Sequence, residues 1–195
     1  MNTTPKTAVI SLGLNMVYSA YYVLFGAITK SWWLLTLGCY YVVLSAVRFA
    51  VICTRKHEHW LAKFTGWMLM VLSLPLVGVV ILSVVRHRGR EFHEIAMITV
   101  AVYAFTKITL AIVKLIKLRH SQSQRMITLR NISLADAFVS MFSLQRSMLV
   151  SFEGMTDGEM RLMNGGFGGA VCVVVFLLGL NLVRKNKVLF KALNT

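Results

Sequence analysis

Charged residues, and acidic residues above all, are scarce in this chain of 195 residues. Lys, Arg, Asp and Glu make up 14% of it, whereas soluble domains usually carry about a quarter. Only 7 residues are acidic against 21 basic ones, and 57% of the chain is hydrophobic. The charges that remain cluster between long apolar runs. The composition therefore excludes an ordinary soluble domain and predicts an all-α integral membrane protein.

Cysteine and catalytic patterns are equally sparse. Cys39, Cys53 and Cys172 all lie within apolar runs, which excludes a disulfide framework or a cysteine metal set. The His and Glu residues near 57–60 and 86–94 lack the His-Glu-x-x-His spacing of a zinc site and fall on opposite sides of the predicted membrane. No Ser-His-Asp or paired-carboxylate pattern can be assembled within one leaflet. We therefore expect a non-enzyme with no cofactor and no metal.

Apolar runs of the length that a bilayer requires, roughly 20 residues, recur along the chain. Five are plain, and a sixth carries an aspartate, an arginine, a glutamine and several serines. The first run lacks a cleavage signature, so we interpret it as a retained span. The sequence predicts one membrane domain, 1–195, with six transmembrane helices. The predicted spans are 8–29, 33–53, 64–85, 95–118, 133–152 and 164–183.

The distribution of Lys and Arg tests whether 133–152 crosses the membrane. With six spans, 13 of these residues fall on one side and 5 on the other, and Arg48, Lys107 and Arg146 fall within spans. Without the fifth crossing the split becomes 9 to 9. Because basic residues gather on the cytoplasmic side, the six-span count predicts that both termini are cytoplasmic. The same bias accounts for the net charge of +14 without nucleic acid binding.

Two fixed offsets relate the halves of the chain. An offset of 98 aligns 35–85 with 133–183 without a gap and places Arg48 on Arg146 and Ser45 on Ser143. An offset of 85 places the first span on the fourth, with Tyr18 on Tyr103. The spacing predicts two three-span halves, 8–85 and 95–183, inserted with opposite orientation, a common plan of transporters. The alternative is six helices with coincidental spacing.

Polar side chains form one-sided stripes on two spans. At about 100° per residue, the serines of the fifth span gather around Asp136, and the polar residues of the first span share one face. Such stripes either line a path or serve helix packing, for which small and hydroxyl residues are well suited. Asp136 also has a local explanation, because "SLAD" matches a capping box with Ser133 as the cap.

Three basic residues lie within the predicted spans. Arg48 and Arg146 are close enough to span ends for their side chains to reach the interface. Lys107 lies near the middle of the fourth span, where a lysine costs about 2.5–3.5 kcal/mol. Such a residue normally faces the bundle interior with a partner, and Asp136 is the only acidic residue within a span. The excess of positive charge predicts an anionic or zwitterionic solute.

The leading interpretation is a transporter or channel for a small anionic or zwitterionic solute in a cell membrane, by compactness a bacterial plasma membrane. The alternative is a non-catalytic membrane subunit or assembly protein that packs against a partner. The expected partners are the lipid bilayer and a small solute, with a second copy or a membrane partner in the alternative. The predicted substrate-binding residues are Lys107, Asp136, Asn15, Tyr18, Tyr22, Tyr103, Ser140, Ser143 and Arg146.

Overall fold

The structure, a computed structural model, describes residues 3–53, 58–85, 94–117, 123–151 and 156–193. Within these ranges the chain forms six α-helices and no strand, which confirms the all-α prediction. Three of them contain segments long and apolar enough to cross a membrane, Leu34–Cys53, Trp60–Val85 and Asp157–Arg184, and these indicate membrane association. The helices are α1 (Thr3–Ile28), α2 (Trp32–Cys53), α3 (Glu58–Val85), α4 (Glu94–Lys117), α5 (Gln124–Ser151) and α6 (Asp157–Leu193).

Helix α5 is the most central element of the bundle. It contacts α2, α3, α4 and α6, whereas the most extensive contacts elsewhere join α3 to α6 and α1 to α2. This is also the helix richest in polar side chains within its apolar stretch, and most of those side chains are buried. Its polar groups therefore meet other helices, where buried groups find hydrogen-bond partners.

A tight turn joins α1 to α2. The backbone N–H of Ser31 bonds the carbonyl of Gly26 at 3.0 Å, and that of Lys30 bonds the carbonyl of Ala27 at 3.3 Å. This is a Schellman motif, in which the residue after the cap adopts a left-handed conformation, usually as glycine. Here that residue is Lys30, with φ of 50°. Nearby, a Cβ on Gly38 would lie 3.0 Å from the backbone nitrogen of Val23, so the two helices cross closely.

Helices α3 and α6 approach each other through Gly66 and Gly179. A Cβ on Gly179 would lie 2.7 Å from the Gly66 carbonyl oxygen, and one on Gly66 would lie 2.8 Å from the Gly179 carbonyl oxygen. The spacing of small residues in the pairs Gly165–Gly169 and Gly166–Ala170 also predicts a close helix contact, which the structure does not place there. A Cβ on Gly166 or Gly169 would meet nothing within 4 Å.

All six helices begin before the predicted spans, α5 and α6 by the largest margins. Helix α5 begins at Gln124, and the Ser133 hydroxyl donates to the Leu129 carbonyl at 2.9 Å as an interior residue does. Ser133 is therefore not a helix cap, and that interpretation of Asp136 is wrong. Helix α6 begins with a capping box instead: the Thr156 N–H donates to Glu159 Oε2 at 2.9 Å, and the Glu159 N–H donates to Thr156 Oγ1 at 3.4 Å.

Candidate functional site

Asp136 lies at the centre of a buried ionic cluster where α2, α4 and α5 meet. Its Oδ2 accepts a hydrogen bond from Arg48 Nη2 at 3.1 Å and another from Lys107 Nζ. The side chain of Asp136 is 1% exposed, that of Arg48 0% and that of Lys107 2%. The Asn15 amide of α1 lies beside the same carboxylate, although Nδ2 makes no hydrogen bond of ordinary geometry. Because both cations share one oxygen, the carboxylate holds three helices together.

A second cation from α4 extends the cluster. Lys114 is two turns after Lys107, and this spacing places both on the same helix face. Lys114 is 6% exposed, and its Nζ donates to Ser133 Oγ at 3.0 Å. The same hydroxyl oxygen is 3.5 Å from Arg48 Nη2. The neutral hydroxyl oxygen of Ser133 therefore bridges two cations, and Ser133 lies one helical turn before Asp136 on α5.

Arg48 and Lys114 were not among the predicted site residues. The expectation that Arg48 reaches the interface is wrong, because its side chain is fully buried and paired. A signal was present in the sequence: Tyr41, Ser45 and Arg48 recur at helical spacing on one face of α2, and all three are buried. Three buried residues at that spacing indicate a face that meets other helices.

Tyrosines from three helices surround the cluster. The Tyr18 and Tyr103 rings stack with centroids 3.5 Å apart and planes inclined by 19°. The Tyr41 ring meets Tyr103 edge to face at 5.9 Å. Lys107 Nζ lies 5.1 Å from the centroid of the Tyr103 ring, within cation–π range. The tyrosine rings thus form a rigid, weakly polar surface beside the charged groups.

The tyrosine hydroxyls bind the polar face of α5 and α1. Tyr41 Oη is 3.2 Å from Ser140 Oγ, and Tyr22 Oη is 3.0 Å from Ser143 Oγ. The Tyr103 hydroxyl donates to Asn15 Oδ1 at 3.3 Å. These contacts are buried, so each oxygen exchanges a bond to water for one within the bundle. Polar contacts therefore continue beyond Asp136 through at least two turns of α5.

Eight of the nine predicted site residues take part in the contacts described above, and Arg146 is the exception. It lies ten residues beyond Asp136 on α5, about 15 Å along the helix axis at 1.5 Å per residue. Its side chain is 6% exposed, so the expectation that it extends to the interface is also wrong. Arg146 is therefore a buried cation of the opposite half of the bundle.

The cluster concentrates cations in a place shielded from water. Arg48, Lys107 and Lys114 are all at most 6% exposed, and Asp136 is the only acidic side chain near them among the described residues. Desolvating a charge costs several kcal/mol unless a partner compensates for it. One carboxylate compensates for one of the three positive charges. The arrangement favours the entry of a further negative charge.

The parts of the chain that the structure describes contain no group of three or more His, Cys, Asp and Glu side chains that could hold a metal. The ammonium and guanidinium groups of the cluster donate hydrogen bonds and accept none, which suits an anionic ligand better than a metal ion. A scan of protein-family models gives no match to the chain. A search of curated protein sequences gives no significant match either.

Proposed function

We propose that the protein crosses the membrane six times, with both termini in the cytoplasm, and moves a small anionic or zwitterionic solute as a transporter or channel. The observation that carries the proposal is the excess of buried cations around Asp136: Arg48, Lys107 and Lys114 against one carboxylate. Intramembrane ionisable residues are rare because they are costly, and they commonly mark solute pathways. An anion that entered the cluster would remove part of that cost.

The polar face of α5 supports a path that leads away from the cluster. Ser140 and Ser143 follow Asp136 at helical spacing, and each contacts a tyrosine hydroxyl. Arg146 follows one turn later and is buried. In this proposal the solute passes from a cation in one half of the bundle, Arg146, to the cations around Asp136 in the other.

The pattern of helix contacts supports the inverted repeat as part of the same proposal. In the proposed repeat, α1, α2 and α3 are equivalent to α4, α5 and α6. The α1–α2 contact then corresponds to the α4–α5 contact, and the α2–α3 contact to the α5–α6 contact. All four contacts occur. The α3–α6 and α2–α5 contacts map onto themselves, whereas the α3–α5 contact has no α2–α6 counterpart of similar extent among the described residues. Tyr18 and Tyr103, which the offset of 85 makes equivalent, stack on each other, as residues beside a two-fold axis would. Solute sites of inverted-repeat transporters lie at that interface.

A non-catalytic membrane subunit is the second candidate function, and the serine hydroxyls favour it. Ser133, Ser140 and Ser147 each donate to the carbonyl four residues earlier, at 2.8–2.9 Å. Hydroxyls that are satisfied by their own helix need neither water nor solute. In this case the polar faces serve packing, and the protein would co-purify with a partner. Replacement of Lys107 by alanine would then lower the yield of the complex rather than a solute flux.

Flux into liposomes tests the proposal directly. Purified protein reconstituted with an anion gradient should accelerate anion movement, and Lys107→Met should abolish the acceleration. Lys117→Met is the matched control, because Lys117 lies on the same helix and is exposed. A preference for simple cations, or no movement of any solute under any gradient, would overturn the proposal.

Cysteine labelling separates a wet path from helix packing. In a background without Cys39, Cys53 and Cys172, single cysteines replace Ser140 or Ser143, and Val139 or Phe142 serve as controls. All four positions are at most 1% exposed. A path that opens to water predicts labelling by a water-soluble thiol reagent at the two serine positions only. Labelling at none of the four indicates packing, and labelling at all four indicates a loosened helix.

A further inference from the structure

The charge balance around Asp136 specifies the kind of anion. We infer that the cluster takes a compact oxyanion with two negative charges, an inference that rests on the proposed function. With both lysines protonated, Arg48, Lys107 and Lys114 carry three positive charges against the single negative charge of Asp136. The buried excess is two charges, and a monovalent anion would leave half of it uncompensated. Compensation matters most in a buried site, because the low dielectric strengthens every charge interaction there.

Helix ends do not remove this excess. The C-terminus of a helix carries about half a negative charge, which is felt within its last turn. Lys114 lies in the last turn of α4 and receives that compensation. The end of α2 is already occupied, because Arg125 Nε donates to the Val51 carbonyl at 3.1 Å and Arg125 Nη2 donates to the Ile52 carbonyl. More than one positive charge therefore remains uncompensated in the cluster.

Ser133 marks where the second negative charge would lie. Arg48 and Lys107 meet at a carboxylate oxygen, whereas Arg48 and Lys114 meet at the neutral hydroxyl of Ser133. The hydrogen bond to Ser133 is the only one that Lys114 makes within the described part of the chain. Arg48 and Lys114 thus converge on a neutral oxygen, and an oxyanion oxygen beside Ser133 would give them an ionised acceptor, to which hydrogen bonds are about twice as strong as to a neutral one.

Compact oxyanions match these donors in geometry as well as in charge. A guanidinium presents N–H groups in a planar fork that fits two oxygens of one anion, and an ammonium donates up to three hydrogen bonds. A sulfate or hydrogen phosphate ion presents oxygens in several directions at once. Halides, which lack separate oxygens, would gain less from donors on different helices.

Equilibrium binding of radiolabelled sulfate to the full chain in lipid nanodiscs tests the inference, with nitrate and hydrogen phosphate as competitors at constant ionic strength. We expect sulfate and hydrogen phosphate to bind at least about ten-fold more tightly than nitrate, since one additional charge-assisted hydrogen bond supports a difference of that size. Lys114→Met should reduce sulfate affinity by about ten-fold and nitrate affinity by a smaller factor, because the attraction lost is proportional to the charge of the anion. Lys114→Arg, which keeps the charge, should retain the preference.

The control and the contrary outcomes are distinct. Lys117→Met removes an exposed charge one turn from Lys114 and should leave both affinities unchanged. Equal binding of sulfate and nitrate, or an equal effect of Lys117→Met, would overturn the inference and leave the proposed function standing. Binding of none of the three anions by the folded wild-type protein would overturn the inference, whereas the flux assay in liposomes decides the proposed function. Retained preference in Lys114→Met would show that Lys114 carries no charge in the site, which also overturns the inference.

Discussion

Replacement of Asp136 by asparagine should destabilise the bundle more than any other loss of a single charge. The carboxylate is 1% exposed and accepts hydrogen bonds from Arg48 and Lys107, which are equally shielded from water. Asparagine keeps the size of the side chain and removes the charge, so both cations remain buried without their counter-charge. Breaking a buried ion pair in this way costs about 3–5 kcal/mol. Typical total stabilities are only about 5–15 kcal/mol.

The loss should appear as a large fall in the unfolding midpoint in detergent micelles. For a chain of this length, each kcal/mol shifts the midpoint by about 2–4 °C, so Asp136→Asn should lower it by roughly 6–20 °C. Asp157→Asn is the matched control, because Asp157 is exposed on α6. Because Asp157 lies in the first turn of α6, loss of its charge should cost at most about 1 kcal/mol.

A double variant distinguishes loss of charge balance from loss of shape. Lys107→Met alone leaves Asp136 paired with Arg48. In the double variant, Asp136→Asn removes the counter-charge of Arg48 and Lys107, and Lys107→Met removes one of these two cations. The double variant should therefore be less destabilised than the sum of the single variants, by about 0.5–3 kcal/mol of coupling. Additive effects, or an Asp136→Asn variant as stable as Asp157→Asn, would refute the account of the cluster.

Three further predictions concern the packing and the helix ends. Gly179→Val should lower the unfolding midpoint by the equivalent of about 1–3 kcal/mol, whereas Gly169→Ala, in open space, should be nearly neutral. Lys30→Gly should raise stability by about 1 kcal/mol, because it relieves a left-handed residue at the α1–α2 turn; an unchanged midpoint would contradict this. Thr156→Ala should cost about 1 kcal/mol and fray the start of α6, measured as faster amide hydrogen exchange there.

The helices were predictable because an apolar run of about 20 residues is a strong signal. Each predicted span coincides with one of the six observed helices. The helix starts were less predictable. Helix α5 begins nine residues before Ser133, since the polar segment from Gln124 is stabilised by contacts with other elements, such as that of Arg125 with the end of α2. Local capping patterns carry no information about such contacts.

The candidate site was predictable in part. Lys107 stood out because it lies far from either end of its predicted span, and Asp136 because it is the only acidic residue within the predicted spans. Arg48 and Lys114 lie closer to helix ends, where a long side chain can either extend to the interface or turn inward. The choice depends on what the neighbouring helices offer. Here Asp136 and Ser133 offer acceptors to both.

The two candidate functions differ in one physical quantity, the charge left over in the bundle. If the halves are related as proposed, Arg146 occupies the position of Arg48, and Gly38 occupies that of Asp136. A side chain at Gly38 is excluded, because its Cβ would lie 2.6 Å from Val23 Cγ2. Only one half of the bundle can therefore carry a carboxylate at this position. A scaffold gains nothing from such an imbalance, whereas a path for anions requires cations that an internal carboxylate does not fully neutralise.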